Sequence, residues 1–168
     1  MLALFLALLG RGVGTDTPSC TTLLSNRLTR ADRRTLGEFA YTVPFWTPID
    51  PAESLEDLAR RVDGIARRDL RHMRLAPVRW REAGFTPASA IAALGFDGLS
   101  VAVQNAVFGP LDDVLACLRT FGTAGGADMQ WSFPPARIDA SAVEALACSY
   151  ERMLDAALAD PSQPLRQV

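Results

Sequence analysis

The chain holds a single imidazole, His72, and acid–base chemistry near neutral pH would start there, because an unperturbed histidine titrates in that range. Its neighbours are Arg68, Asp69, Arg71 and Arg74. That setting suits a surface residue or a helix C-terminal cap as well as a weak catalytic candidate. The nucleophile candidates are Cys20, Cys117 and Cys148, which are widely spaced and odd in number. No CxxC pair occurs, so neither a zinc site nor a redox pair is indicated, and no metal is expected. Apolar or hydroxylic neighbours suit buried thiols in a reducing compartment, and only His72 could activate one for catalysis.

The polar and aromatic candidates fall in three groups. Asn26 and Arg27 follow a strand-like run, where an arginine can brace carbonyls or a carboxylate. Tyr41 and Trp46 are large rings able to contact another molecule, and packing in a core is the equal alternative. Gln104 and Asn105 carry amides that could orient a substrate carbonyl, or pair along a strand edge. Gly125-Gly126 reads as a hairpin turn, since neither a lysine nor a helix start follows to build a phosphate loop.

The elements that must hold these residues follow from periodicity. Met1 to Leu9 is an unbroken apolar run without a cationic leader, and a bilayer needs roughly 20 residues, so a buried helix Leu2–Leu9 ended by Gly10, Gly12 and Gly14 is the favoured reading over a signal sequence. Ser19–Ser25 suits a strand, Asn26–Arg34 a polar loop, and Phe39–Trp46 a strand limited by Pro44 and Pro48. Ser54 with Asp57 predicts a capped amphipathic helix running to about His72, with Leu55, Leu58, Val62, Ile65 and Leu70 on its apolar stripe. A short helix is expected over Pro87–Ala93. A meander should follow: Leu99–Phe108, then Val114–Phe121 and Asp128–Phe133 around Thr123-Ala124-Gly125-Gly126. Asp139 should cap a last helix, Ala140–Leu158, buried through Val143, Leu146, Ala147, Tyr150, Leu154 and Leu158.

At 168 residues the chain is long enough for one core and short for two. The net charge of -2 suggests neither nucleic acid nor an anionic membrane as a partner. All 17 basic residues are arginine. The pairs Arg33-Arg34, Arg60-Arg61 and Arg67-Arg68 have acidic neighbours in Glu56, Asp57, Asp63 and Asp69, which reads as a solvated helix face.

An ordered series of blocks resembles a known family. Leu36-Gly37-Glu38-Phe39-Ala40-Tyr41-Thr42-Val43-Pro44-Phe45, preceded by Asn26-Arg27, is similar to the "IGxFVNTxxxR" block of peptide-synthetase condensation domains, with Tyr41 in place of the usual asparagine. His72-Met73-Arg74-Leu75-Ala76-Pro77 looks like a degraded "HQxxPF" block, one residue longer. Leu99 to Asn105 is similar to the "FQVMFVLQN" strand, and Trp131 to Leu165 to the closing strand, helix and "P…PL" ending. The family's HHxxxDG motif has no counterpart here.

What the resemblance implies is an α/β fold: a single chloramphenicol-acetyltransferase-like lobe over 1–168, with a mixed sheet and helices packed on one face. It would be the C-terminal half of a two-lobed domain whose catalytic histidines lie in the other half. In the family the residue matching His72 has a mainly structural role. The implied function is amide or ester formation from a carrier-protein thioester in non-ribosomal peptide biosynthesis, only with a partner lobe. That partner would be an N-terminal condensation lobe on another chain or a second copy of this one. Peptidyl carrier proteins would bring substrates on phosphopantetheine arms, with no other cofactor, in the cytoplasm. The alternatives are a non-catalytic module that binds carrier proteins or tailoring enzymes, and a repurposed small cyclase.

Overall fold

The apolar run at the start of the chain forms a helix, α1 (Leu2–Val13), in which every residue from Ala3 to Leu9 is buried. A helix that is apolar all round must be enclosed on all sides, and α1 is the element around which the rest assembles. The computed structural model describes residues 1–25, 29–36, 40–70, 92–96, 116–123 and 126–168. Among these, no helix is long and apolar enough to cross a membrane.

The glycines expected to stop α1 at Leu9 do so only four residues later. Gly10 and Gly12 lie inside the helix, and Gly14 adopts the left-handed conformation (φ 70°) that ends it. Gly10 has its own reason to lack a side chain: a Cβ there would sit 3.1 Å from the Thr15 carbonyl oxygen. The Thr15 amide folds back onto the Gly10 carbonyl at 3.0 Å.

Among the described residues, five strands make one mixed sheet: β1 (Ser19–Ser25), β2 (Ala40–Trp46), β3 (Ala92–Phe96), β4 (Ala116–Thr123) and β5 (Gly126–Ser132), in the order β2-β1-β3-β4-β5. β1 runs antiparallel to β2 and parallel to β3, β3 runs parallel to β4, and β4 and β5 form an antiparallel hairpin. Among the described strands β2 lies at the edge of the sheet, the place where a proline is tolerated. The hairpin is tighter than its sequence suggested. Pairing continues past the expected strand ends, Phe121 and Asp128, as far as Thr123 with Gly126.

Two sequence expectations are corrected here. Ala92 and Ala93, placed at the end of a helix, belong to β3, and the last third is therefore no simple meander, since β4 joins the sheet beside β3 in parallel. The strand expected over Leu99–Phe108 and most of the Pro87–Ala93 segment lie outside the described residues.

Helix α2 (Leu55–Leu70) starts as its sequence dictates. The Ser54 hydroxyl accepts the Asp57 amide at 3.1 Å and donates to the Asp57 carboxylate at 2.8 Å. Its apolar stripe enters the core through Leu58 and Val62. The opposite face carries the anticipated ion pairs, Arg60 with Glu56 and Asp57, Arg67 with Asp63, and Arg68 with Asp69. Helix α3 (Ala140–Ala159) begins at Asp139 without a side-chain cap; the Asp139 carbonyl alone receives the Ala142 and Val143 amides. Its buried stripe is Val143, Tyr150, Met153 and Ala157, while Leu158, expected inside, is 75% exposed.

Helices and sheet meet in one core. Phe5 of α1 lies against Trp131 of β5, and Trp131 meets Tyr150 of α3 edge-on, with both pairs of ring centroids 6.1 Å apart. Cys20, Phe45 and Leu118 from the sheet and Leu58 from α2 complete it, so the three helices cover one sheet face. The chain end straps this core: Leu165 is buried, its amide reaches the Glu53 carbonyl at 2.8 Å, and the Arg166 amide reaches Pro51 at 3.0 Å.

Candidate functional site

Alternation along β2 separates adjacent side chains onto opposite faces of the sheet. Phe45, paired with Cys20, is buried against the helices, and Thr47 just beyond the strand is 1% exposed. Trp46, between them and paired with Ser19, is 56% exposed on the other face. Its base is fixed. Arg61 of α2 donates to the Thr47 hydroxyl and to the Glu53 carboxylate, tying the end of β2 to the helix that follows. A large aromatic side chain on a braced backbone is poised to contact another molecule with little ordering cost.

The other residues singled out from the sequence divide plainly. Tyr41 lies in β2, its backbone paired with Leu24. Asn26, Arg27, His72, Gln104 and Asn105 lie outside the described residues. Of the candidate set the described residues therefore include Tyr41 and Trp46, both in β2 but five positions apart, a spacing that alternation assigns to opposite faces of the sheet.

The thiols differ from each other more than their sequence context suggested. Cys20 is fully buried, and loss of solvation pushes its thiol up to about 12, so at neutral pH it is protonated and inert. Cys148 was expected inside and is exposed on α3 instead. Burial likewise raises the Tyr150 phenol above its ordinary range. Among the described residues, no three of histidine, cysteine, aspartate or glutamate come close enough to hold a metal ion.

The architecture has clear counterparts among solved structures. The first condensation domain of the CDA synthetase superposes with a TM-score of 0.78 at 16% identity, over 99% of this chain and 40% of that one. A variant of the starter condensation domain of rhizomide synthetase, in complex with C8-CoA, gives 0.79 at 20% identity, over 100% of this chain and 41% of that one. The condensation domain of the monacolin K polyketide synthase MokA gives 0.79 at 17% identity, over 98% and 42%. The fold is that of one condensation-domain lobe. The chain spans about two fifths of the length of these condensation domains. No protein-family model matches the sequence, and no curated protein does.

Two features of this lobe escaped the sequence reading. One is the brace from Arg61 to Thr47 and Glu53, which a proline-bounded loop gives no hint of. The other is Arg11, whose guanidinium donates to the Leu165 carbonyl and to the main-chain oxygen of Val168 and fastens the 165–168 strap to the end of α1.

Proposed function

We propose that this chain is the C-terminal half of a condensation-type acyl or peptidyl transferase of non-ribosomal peptide assembly, active only beside a partner lobe. The observation that carries this reading is the superposition of almost the whole chain on about 40% of a condensation domain, in a sequence whose only imidazole is His72.

Amide formation from a thioester needs more than a wall. The amine nitrogen attacks the thioester carbonyl, the carbon–sulfur bond breaks, and the proton released from nitrogen must be managed as the thiolate leaves. In this reading the partner, on another chain or as a second copy, supplies the proton-transfer group. This chain supplies the cleft wall with Trp46, and Asn26, Arg27, Gln104 and Asn105 are its further candidates; Tyr41, at an odd spacing from Trp46 in β2, falls at the register of the opposite face. Substrates arrive on the phosphopantetheine arms of peptidyl carrier proteins, in the cytoplasm. Because the family's paired-histidine motif has no match here, a second copy would bring no such motif, and a separate N-terminal lobe is the favoured partner.

The test is reconstitution. The purified chain is mixed with a polypeptide that carries an HHxxxDG lobe, a carrier-bound acyl donor and a carrier-bound amine, and products are read by mass spectrometry. Amide is expected only when both lobes are present. Product from this chain alone, abolished by His72→Ala, would overturn the partner requirement. Stable capture of carrier proteins without any product in the reconstituted mixture would favour the binding-module alternative.

A further inference from the structure

The arginines of α2 and those near the end of α1 sit in different electrostatic settings. On α2, Arg60, Arg61, Arg67 and Arg68 each pair with a carboxylate. Arg11, Arg152 and Arg166 pair with no Asp or Glu among the described residues, and all three border two hollows that share Arg11. The first, about 450 Å³, is lined by Arg11, Arg166, Thr15 and Asp16, with Ile49 and Leu165 forming apolar wall. The second, about 440 Å³, adds Arg152 and Ser149 on the far side of Arg11. Volumes of this size match small-molecule sites more closely than flat protein interfaces.

The first hollow sits at the C-terminal end of α1, where the helix dipole is negative and would oppose an anion. Its carbonyls are already engaged. Gly10 accepts both the Gly14 and Thr15 amides, and Leu165 and Val168 accept Arg11. Arg11 spends two of its guanidinium nitrogens on the main-chain oxygens of Leu165 and Val168, and its five N–H groups leave further donors. The Arg166 guanidinium makes no hydrogen bond among the described residues, since only its backbone amide is used by the strap. Two arginine forks over a partly apolar floor match a phosphate group carried on an organic body.

We propose that this groove binds a small organic phosphate, with the phosphate between Arg11 and Arg166 and the organic part against Ile49 and Leu165. The site is independent of the acyl-transfer reading, because the residues that form it are not those of the proposed cleft wall. Asp16 is the built-in opponent: its carboxylate shares the groove and weakens any anion there.

That opposition makes the test sharp. The full chain is titrated at low salt with phenyl phosphate, inorganic phosphate and benzyl alcohol, by calorimetry or by NMR shift perturbation. Phenyl phosphate should saturate, inorganic phosphate should bind about fivefold more weakly, and benzyl alcohol should not saturate. Arg166→Gln should weaken phenyl phosphate about fivefold and Asp16→Asn should tighten it about threefold, opposite signs from two neutralisations in one groove. Neither side chain makes a hydrogen bond among the described residues, so both variants should melt like the parent. Arg11 is left intact because it also fastens the strap. Absence of saturable binding, or binding that neither substitution moves, overturns the proposal. Equal affinity for inorganic and phenyl phosphate overturns its organic part.

Discussion

Phe45 and Trp46 are neighbours in one strand and live in different worlds: 6% exposed on the helix side, 56% exposed on the other. The same division runs across the sheet, where Cys20 and Leu118 share the helix-covered face with Phe45 and no described helix lies on the face that carries Trp46. One face is thus the place where folding free energy is concentrated. The other is open, and a partner lobe would dock there. Substitutions on the two faces should therefore separate stability from assembly.

The largest effect is expected at the centre of the covered face. Phe5 is fully buried and lies against Trp131, so Phe5→Ala should lower unfolding free energy by about 3–5 kcal/mol, measured by urea denaturation. A loss under about 1 kcal/mol would mean that α1 is not the hub of the core. Next comes pH. The Cys20 thiol titrates near 9 when unfolded and near 12 when folded, because burial disfavours the thiolate. Between those values the folded state keeps a proton that the unfolded state has lost. Stability should be complete below about pH 9 and should fall from there towards 12, and Cys20→Ala should flatten part of that decline. Tyr150, also raised by burial, acts in the same direction. A midpoint that stays level through this window in the parent would place Cys20 in water. A smaller effect is expected at Ser54, where replacement by alanine removes the cap of α2 at a cost of about 1 kcal/mol.

The covered face was the more legible in the sequence, for physical reasons. The cap Ser54, the acidic first turn and the apolar spacing all agree on α2, and local agreement of that kind is what makes a helix readable. Strand β3 was missed because Ala92-Ala93-Leu94-Gly95-Phe96 is short and lacks β-branched residues. A strand with parallel neighbours on both sides also shows no alternation to find. In α3, Leu158 drifts out of the buried stripe because a run of 20 residues turns steadily past a fixed contact, and Met153 and Ala157 take the inward positions. The anion groove could not be read at all. Arg11, Asp16 and Arg166 are gathered only when the strap folds back over the start of the chain.

The smallest expected change in stability is the one that sharpens the comparison most. Trp46→Ala removes a large side chain that the core does not enclose, so the urea midpoint should move by no more than about 0.5 kcal/mol in free energy. The same substitution should weaken reconstitution with a partner lobe at least about tenfold, since an aromatic anchor on a braced strand is the usual form of an interface hot spot. The pairing of these two numbers carries the argument. A large stability loss would place Trp46 in a core that the exposed area does not reveal. Unchanged stability with unchanged reconstitution would leave the outer face without a role in assembly. Only a folded protein that no longer couples to its partner fits a sheet with one face for folding and one for association.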